Sequence, residues 1–501
     1  MVYCGAPSKG CATCRRKRTK CDQKHPSCGQ CLRAGRECPG YRDTQALMFR
    51  DETKKVKRKA KATEARDESI SAVVAVRKKW PDQCAEPFNA SKAMVVAHNL
   101  PVSLEDEAMS YFYYHFVPQG TTFGRSYLQQ VRYLELPGIA LLGLIASIGL
   151  GCMSNRRKDS QMMLLARQKY TEVLPVLNAN LQDPVLSKAD STLMAVMLSG
   201  LFETVTCSSS QSLQSWAKHI HGALAITQLR GPKYLKNDYN RSMFHNVRAQ
   251  IVIDALQRRQ PVPPVVIALS KIAFSYGPLV QQTEQALLEI IDRLCILRCR
   301  TKDVTEDDPT ILEEAHAIEK ELVEWAESVP WEYAFLVKNK KIPDGFLSQY
   351  HVYKDAWTVG VWNVYRCCHI LTHEVIMQWL SLHSTPAKVA AQRLESKVAC
   401  NQLAADVCYS VPYLIGDEFS QTASNTPKAI GASSLIWPLY LVATMDLGEY
   451  HIRCWVIEQF EKIGNLFGIK QALSLANVLR TQKEITIWDK PVTEPIDEEK
   501  W

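Results

Sequence analysis

Residues 11–38 read CATCRRKRTKCDQKHPSCGQCLRAGREC and contain six cysteines at a repeated spacing. Each half of the stretch has a C-x2-C-x6-C pattern, and a third six-residue gap joins the halves. The leading pairs resemble the two-residue ligand spacing of small metal sites, and the matched distal cysteines complete each set. The six positions are Cys11, Cys14, Cys21, Cys28, Cys31 and Cys38.

The regular spacing fits a pair of zinc ions. A structural zinc takes four ligands in a tetrahedron, so two ions need eight ligand positions and six cysteines must share two of them. The symmetry of the repeat predicts that the leading cysteines, Cys11 and Cys28, bridge the ions. The remaining ligands would then be Cys14 and Cys21 on one ion, and Cys31 and Cys38 on the other.

Disulfides and redox chemistry explain the pattern less well. The chain opens MVYCG, without a charged segment followed by an apolar one, so we expect no secretory signal. In a reducing compartment, cysteines at this spacing are typical metal ligands. A redox CxxC pair would explain neither the second pair nor the distal cysteines.

The charge of the chain is unevenly distributed. Its 501 residues carry a net charge of +8. Residues 1–66 hold 18 Lys and Arg against 6 Asp and Glu, so this head carries +12 and the other 435 residues sum to −4. A compact basic head in front of a mildly acidic body indicates a polyanionic partner.

The cationic residues concentrate between Cys14 and Cys21, where five of six residues are Lys or Arg. We expect residues 14–20 to form a short helix, held by metal at both ends and narrow enough to enter a DNA major groove. Lys17 and Arg18 lie farthest from the ligands, and we predict that they contact bases. Arg15, Arg16 and Lys20 are predicted to contact phosphates. The alternative is that all five contact phosphates only.

With the basic loop at 15–20 and Pro26 in the connecting loop, the spacing C-x2-C-x6-C-x6-C-x2-C-x6-C resembles the fungal zinc binuclear cluster (Zn2Cys6) transcription factors. The resemblance implies two zinc ions sharing the six cysteines and a first half that reads a CGG-type triplet. By position, Lys17 and Arg18 fall where that family places its base-contacting basic pair. The motif covers about 30 residues of this chain.

The remainder of the chain shows mostly helical periodicity. Between residues 387 and 411, for example, apolar residues advance by three or four positions, with Thr385 as a plausible cap and Pro386 in the first turn. No convincing two-residue alternation occurs, so we expect no sheet. The helical candidates are 106–117, 138–153, 159–180, 188–206, 212–230, 240–259, 278–298, 310–328, 350–382, 387–411, 428–447, 449–467 and 468–480.

These elements predict a small metal-stabilised Zn2Cys6 module followed by a large all-α regulatory domain. The expected boundaries are 8–42 for the DNA-binding module, 43–105 for a basic tail and linker, and 106–490 for the helical domain. A second resemblance, to filamentous-fungal members of the same family, also implies a helical fungal-specific regulatory domain. It rests on Tyr41-Arg42-Asp43, Met48-Phe49-Arg50-Asp51-Glu52, Trp216-x2-His219-x2-Gly222-Ala223, Leu229-Arg230-Gly231 and Ile436-Trp437-Pro438-Leu439.

Partners and location follow from the same features. Residues 41–66 hold no sustained heptad, so the coiled coil that often dimerises this family is not evident. A monomer and a homodimer made through the body both stay open. The basic segment 54–61 fits a nuclear localisation signal, a DNA backbone contact or both. The acidic runs near residues 306–314 and 494–501 could contact transcription coregulators, although a solvated helix start explains the first equally well.

Other functions find less support. The apolar stretch 138–153 is shorter than the ~20 residues of a bilayer helix, so we interpret it as a buried core helix and expect no membrane association. His369-x3-His373-Glu374 lacks the HExxH order of zinc proteases, and we interpret its histidines as core or surface residues. No nucleotide-binding loop or catalytic set is evident, so we predict that the protein is not an enzyme.

The expected function is therefore a nuclear, zinc-dependent, sequence-specific DNA-binding regulator. It would control RNA polymerase II transcription of metabolic genes, with a secondary-metabolite gene cluster among the candidates. The alternative is a protein-interaction adaptor whose zinc cluster is purely structural.

Overall fold

In the computed structural model, the chain divides into two compact units, residues 1–99 and 100–501. The structure describes residues 10–17, 19–40, 103–117, 128, 131, 138–207, 210–276, 281–302, 308–344, 347–383, 385–416, 427–445 and 450–481. The predicted basic segment 54–61, the acidic run 494–501 and the linker up to residue 102 lie outside these ranges.

The first unit contains two one-turn helices, α1 (Ala12–Arg16) and α2 (Gly29–Arg33). Each begins directly after a leading cysteine. Helices of this length are not stable alone, because too few hydrogen bonds form to offset nucleation. The buried side chains beside them are cysteines only, so the described part of this unit has no conventional apolar core.

The second unit is a helical body with one small hairpin. Its elements, in chain order, are α3 (Leu104–Phe116), α4 (Ile139–Arg157), α5 (Ser160–Gln182), α6 (Asp190–Thr206), α7 (Ser210–Arg230), α8 (Asp238–Arg258), α9 (Pro264–Ser275), α10 (Gln281–Arg300), α11 (Pro309–Ser328), β1 (Leu336–Asp344), β2 (Leu347–Val352), α12 (Ala356–His383), α13 (Pro386–Ile415), α14 (Ala429–Ser434), α15 (Ile436–Thr444), α16 (Tyr450–Phe467) and α17 (Lys470–Thr481). The prediction of a large helical domain behind the cysteine module is confirmed, with the hairpin as an exception to the helices.

Helix α4 is the centre of the first half of the body. It packs against α3, α5, α6 and α16. A Cβ atom on Gly149 would lie 2.0 Å from the carbonyl oxygen of Ala108 in α3, so only glycine permits this close approach. Among the described residues, α4 alone is long and apolar enough to cross a membrane, and 72% of its apolar window is buried inside the body. The interpretation as a core helix is confirmed.

The chain returns at its C-terminal end to the helices of the first half. Helix α16 packs on α4, and α17 packs on α6. The Asn155 side chain connects α4 to α6 and to the residue after α16. Its amide donates to the carbonyls of Val205 and Gly468, both at 2.8 Å. Residues more than 300 positions apart are therefore joined within one core.

The second half of the body is a series of helices that pack in chain order, with α10 against α11, α11 against α12 and α12 against α13. An ion pair stabilises the start of this series. The Arg248 guanidinium on α8 donates to Ser270 at 2.6 Å and to the Asp292 carboxylate on α10 at 3.1 and 3.2 Å. Only 2% of the Arg248 side chain and 11% of the Asp292 side chain are exposed.

The predicted secondary structure between residues 336 and 382 needs correction. The expectation that no sheet forms is wrong, because β1 and β2 make an antiparallel hairpin with Leu336 opposite Val352. Only Leu347 and His351 are buried along β2, so the strand has no alternating apolar pattern to detect. The predicted helix 350–382 starts only at Ala356.

Two other elements also differ from prediction. Helix α9 was not predicted, because three prolines between residues 261 and 264 resemble a loop; Pro264 instead occupies its first turn. The predicted helix 428–447 is two helices, α14 and α15, which are separated at Leu435.

A buried cation lies where the hairpin meets α12. Arg366 is 1% exposed and donates to the hydroxyl of Tyr353 at 2.8 Å and to Asn363 at 2.9 Å. Its Nη2 also lies 3.3 Å from Nδ1 of His351, which must accept and therefore be unprotonated there. Burial and the neighbouring guanidinium lower the pKa of His351 to about 3.

This histidine predicts a loss of stability in acid. Below the ordinary histidine pKa of about 6.5, His351 binds a proton in the unfolded chain but not in the folded chain. The free energy of unfolding therefore falls as the pH drops. At pH 5 the loss from His351 should be about 2 kcal/mol relative to pH 7. Urea unfolding of the full chain, followed by helical circular dichroism at the two pH values, measures it.

His351→Gln should show a smaller difference between the two pH values, because glutamine does not titrate. His451→Gln, at an exposed position on α16, is the matched control and should keep the wild-type difference. An equal difference in His351→Gln and wild type would contradict the assignment.

Candidate metal centre and DNA-contacting surface

The six predicted ligands of the first unit come together in two groups of four. Cys11, Cys14, Cys21 and Cys28 form one group; Cys11, Cys28, Cys31 and Cys38 form the other. Within each group all sulfur atoms lie within 4.8 Å of one another. Cys11 and Cys28 belong to both groups, the arrangement that two bridging thiolates require.

The sulfur distances fit zinc. A tetrahedron with zinc–sulfur bonds of about 2.3 Å has edges of about 3.8 Å between sulfurs. Here Cys11 and Cys28 lie 3.7 Å apart, as do Cys14 and Cys28, and Cys11 lies 3.8 Å from Cys31. All six are free thiols, and these separations are far longer than the ~2.05 Å of a disulfide.

The backbone of the module repeats at an offset of 17 residues. The amide of Cys14 donates to the sulfur of Cys11, and the amide of Cys31 donates to the sulfur of Cys28, both at 3.4 Å. Thr19 donates to the Cys14 carbonyl and Arg36 to the Cys31 carbonyl, both at 3.0 Å. Each CxxC therefore closes one helical turn, which directs its two sulfurs toward the same point.

Burial and hydrogen bonding divide the thiols into inner and outer sets. Cys11 and Cys28 are 0% exposed, whereas Cys21 and Cys38 are partly exposed. Burial raises the pKa of Cys28 well above its usual value. A hydrogen bond from the Cys11 backbone lowers the pKa of Cys21 to about 7. The Cys28 sulfur thus needs a nearby cation to become a thiolate, and zinc would supply it.

A residue outside the cysteine pattern also positions the module. The Asp22 carboxylate accepts the backbone N–H of Gly29 at 3.0 and 3.1 Å. A Cβ atom on Gly29 would lie 2.5 Å from that carboxylate, so a larger residue there would displace Asp22 from this contact. Asp22 connects the end of the first half to the start of α2. Sequence analysis missed this contact, although an acid directly after a ligand and a glycine directly after the next one could have suggested it.

The predicted DNA-contacting residues occupy the end of α1 and the turn after it. The predicted helix 14–20 is wrong in extent. Helix α1 begins at Ala12, directly after Cys11, whose sulfur accepts the Cys14 amide, and it ends at Arg16. Arg16, Lys17 and Lys20 are exposed. Arg15 lies on α1, but its side chain falls outside the described part of the structure, as does the whole of Arg18.

A comparison with protein families finds one domain at these residues. Residues 9–46 match the fungal Zn(2)-Cys(6) binuclear cluster domain. The match covers the described module and contains both sulfur groups. Together with the sulfur geometry, it confirms zinc as the cofactor of this module, with two ions per cluster as the feature of that domain.

Curated relatives resemble the chain in the same short region. Transcriptional regulatory protein moc3 of Schizosaccharomyces pombe is 51% identical over 39 residues, which is 8% of each chain. White-opaque regulator 2 of Candida albicans is 47% identical over 38 residues, again 8% of each chain. The aspercryptin biosynthesis cluster-specific transcription regulator atnN of Emericella nidulans is 49% identical over 37 residues, 7% of this chain and 6% of its own.

The similarity thus spans less than a tenth of each of these relatives. No solved structure matches the chain. The comparisons therefore concern the cysteine module and not the helical body.

Proposed function

We propose that this protein is a sequence-specific DNA-binding regulator of transcription that acts in the nucleus. The observation that carries the proposal is the pair of sulfur tetrads sharing Cys11 and Cys28. Beside them, at the end of α1 and just after it, lie the exposed cations Arg16, Lys17 and Lys20. The named relatives of this module are described as transcription regulators, which supports the same reading.

The zinc ions supply structure rather than reactivity, holding six thiolates in a fixed arrangement. Cys11, Cys14, Cys21, Cys28, Cys31 and Cys38 would bind them. Rigid ligand positions fix α1 and the turn at Lys17, so cationic side chains can be presented to a groove with little further loss of conformational freedom.

Within that turn the five cations take two roles. Lys17 and Arg18 would donate to guanine O6 and N7 in the major groove, as reading a CGG-type triplet requires. Arg15, Arg16 and Lys20 would contact phosphates and set the orientation of the module on the duplex. Residues 8–42 would form the DNA-binding module. Residues 43–105 would form a basic tail and linker, and the basic tail would add salt-dependent affinity.

The helical domain at 106–490 would carry regulation, through transcription coregulators or a second copy of the chain. Its targets would be RNA polymerase II genes of metabolism. The printed name of one relative, a biosynthesis cluster-specific regulator, makes a secondary-metabolite gene cluster the first class of target to examine. We propose no catalytic step.

In vitro selection from random duplexes, using the zinc-loaded full-length chain, tests this function. Enrichment of a GC-rich triplet is expected, and the number and spacing of triplets would report whether the chain binds as a monomer or a dimer. Binding without any sequence preference would instead favour an adaptor whose cluster is purely structural.

Lys17→Ala is expected to cost about 1–3 kcal/mol of discrimination at one base pair of the selected site. Arg18→Ala should have a comparable effect at a neighbouring pair. Both follow from loss of donors to guanine. Competition binding against single-base variants of the site measures the change.

Lys20→Ala is the matched control, because it removes the same charge from a predicted phosphate contact. It should weaken binding to all sequences alike and reduce the slope of log K against log salt by about 1. If Lys17→Ala behaved in the same way, Lys17 would be a phosphate contact.

A further inference from the structure

A second cluster of metal-ligating side chains lies inside the helical body, remote in sequence from the cysteine module. His369 and His373 follow each other at i and i+4 on α12, and Glu319 comes from α11, which packs against α12. The ligand atoms of the three residues all lie within 4.8 Å of one another. Two imidazoles and a carboxylate are a common ligand set for divalent transition metals.

The two imidazoles face the same space. Their rings are stacked, with centroids 5.1 Å apart and an angle of 16° between the planes. Spacing by four residues places them one helical turn apart. His369 is 7% exposed and His373 is 3% exposed, so neither is a solvated surface histidine.

The hydrogen bonding of His373 is unusual for a buried imidazole. Within the described residues, neither of its ring nitrogens has a hydrogen-bond partner. Its Nε2 lies 3.6 Å from Oε1 of Glu319, beyond the range of a good hydrogen bond. Leaving buried polar atoms unpaired is costly, and a metal ion between Nε2 and the Glu319 carboxylate would give these two groups a partner.

Neighbouring groups orient the other two ligands. Nδ1 of His369 lies 3.4 Å from the hydroxyl of Tyr365. If Nδ1 carries the hydrogen of that contact, the lone pair of Nε2 is left to bind an ion. Oε2 of Glu319 lies 3.2 Å from Nδ1 of His316, which leaves Oε1 directed at His373. Such outer contacts are typical of metal ligands.

Glu374, next to His373 in sequence, does not belong to this group. Its carboxylate accepts from Arg298 at 2.6 Å and from Arg259 at 3.0 Å. The acid that completes the set is therefore Glu319, which lies 54 positions before His373. The sequence interpretation treated the two histidines as ordinary core or surface residues and did not include Glu319.

We infer that Glu319, His369 and His373 form a binding site for a divalent transition-metal ion such as Zn²⁺, which joins α11 to α12. A zinc ion with bonds of about 2.0–2.1 Å needs ligand separations of about 3.3 Å, close to the 3.6 Å between Glu319 and His373. Three protein ligands leave a fourth position for water. The side chain of Glu319 is 28% exposed, which gives an ion access from solvent.

The test counts zinc on the reduced full-length chain after incubation with excess Zn²⁺ and desalting. The wild-type chain should hold three equivalents, two in the cysteine module and one in the body. His373→Gln and Glu319→Gln should each hold about one fewer. His219→Gln, a partly buried histidine on α7, is the matched control and should hold as many as wild type.

A second measurement does not depend on the folding of these variants. Zn²⁺ added to the metal-stripped Cys28→Ala chain, which lacks a ligand of both tetrads, should raise the midpoint of thermal unfolding of the helices, because an ion bound to the folded state alone stabilises it. That chain should still bind the zinc of the body. If the cysteine module did not bind zinc, zinc binding by Glu319, His369 and His373 could thus still be measured.

Two results would overturn the inference. One is a wild-type chain that holds only the two equivalents of zinc assigned to the cysteine module. The other is zinc content and thermal shift in His373→Gln equal to those of wild type.

Discussion

The full-length chain carrying Cys28→Ala is expected to bind two fewer zinc ions than the wild-type chain and to lose sequence-specific DNA binding. The Cys28 sulfur belongs to both tetrads, so its removal leaves each ion with three thiolates. The described module buries only cysteine side chains and cannot replace that stabilisation. Structural zinc contributes ~10–16 kcal/mol to small domains of this kind, which makes this the largest effect that we predict.

Zinc quantification and binding to a selected DNA site, measured on the same preparation, check this outcome. Cys38→Ala is the informative comparison, because Cys38 belongs to only one tetrad and its loss leaves the other ion with four sulfurs. Cys299→Ala, on α10 of the helical body, should change neither quantity. A Cys28→Ala chain that keeps both ions would refute the bridging arrangement.

The second large effect concerns the buried ion pair of the body. Asp292→Ala leaves the Arg248 guanidinium buried without its carboxylate, and we expect a loss of about 3–5 kcal/mol in the free energy of unfolding. Since domains are typically stable by only about 5–15 kcal/mol, part of the population should unfold at physiological temperature. Urea unfolding followed by helical circular dichroism measures the change.

The double variant Arg248→Met with Asp292→Leu separates burial of a lone charge from loss of attraction. Replacing both ions by apolar side chains of similar volume should restore most of the stability. Glu461→Ala, which breaks the exposed pair with Arg480, should cost at most about 1 kcal/mol. Equal losses at the buried and exposed pairs would show that burial does not determine the cost.

The metal module could be predicted from sequence because its information is local. Ligand type and spacing alone predict two tetrads, and the 17-residue repeat identifies Cys11 and Cys28 as the shared members. The helical body was predictable for a related reason: apolar residues recur along faces such as 387–411, where α13 begins at Pro386 with Thr385 at the cap position.

Features that depend on tertiary contacts were not predictable in this way. Along β2 only Leu347 and His351 are buried, so this strand shows no alternating apolar pattern. Helix α9 follows a proline-rich stretch, and its first-turn proline favours a helix only once the preceding chain is extended. Asp22 and Glu319 acquire their roles from residues that folding brings near them, and no spacing rule connects Glu319 to His373.

The hydrogen bonds of Asn155 have a consequence for synthesis on the ribosome. Helix α4 emerges early, yet α16 packs on it from the distal part of the chain, and Gly468 is translated 313 residues after Asn155. During that interval the part of α4 that α16 covers in the folded body stays without its partner. Completion of this core therefore has to wait until the distal segment has been synthesised.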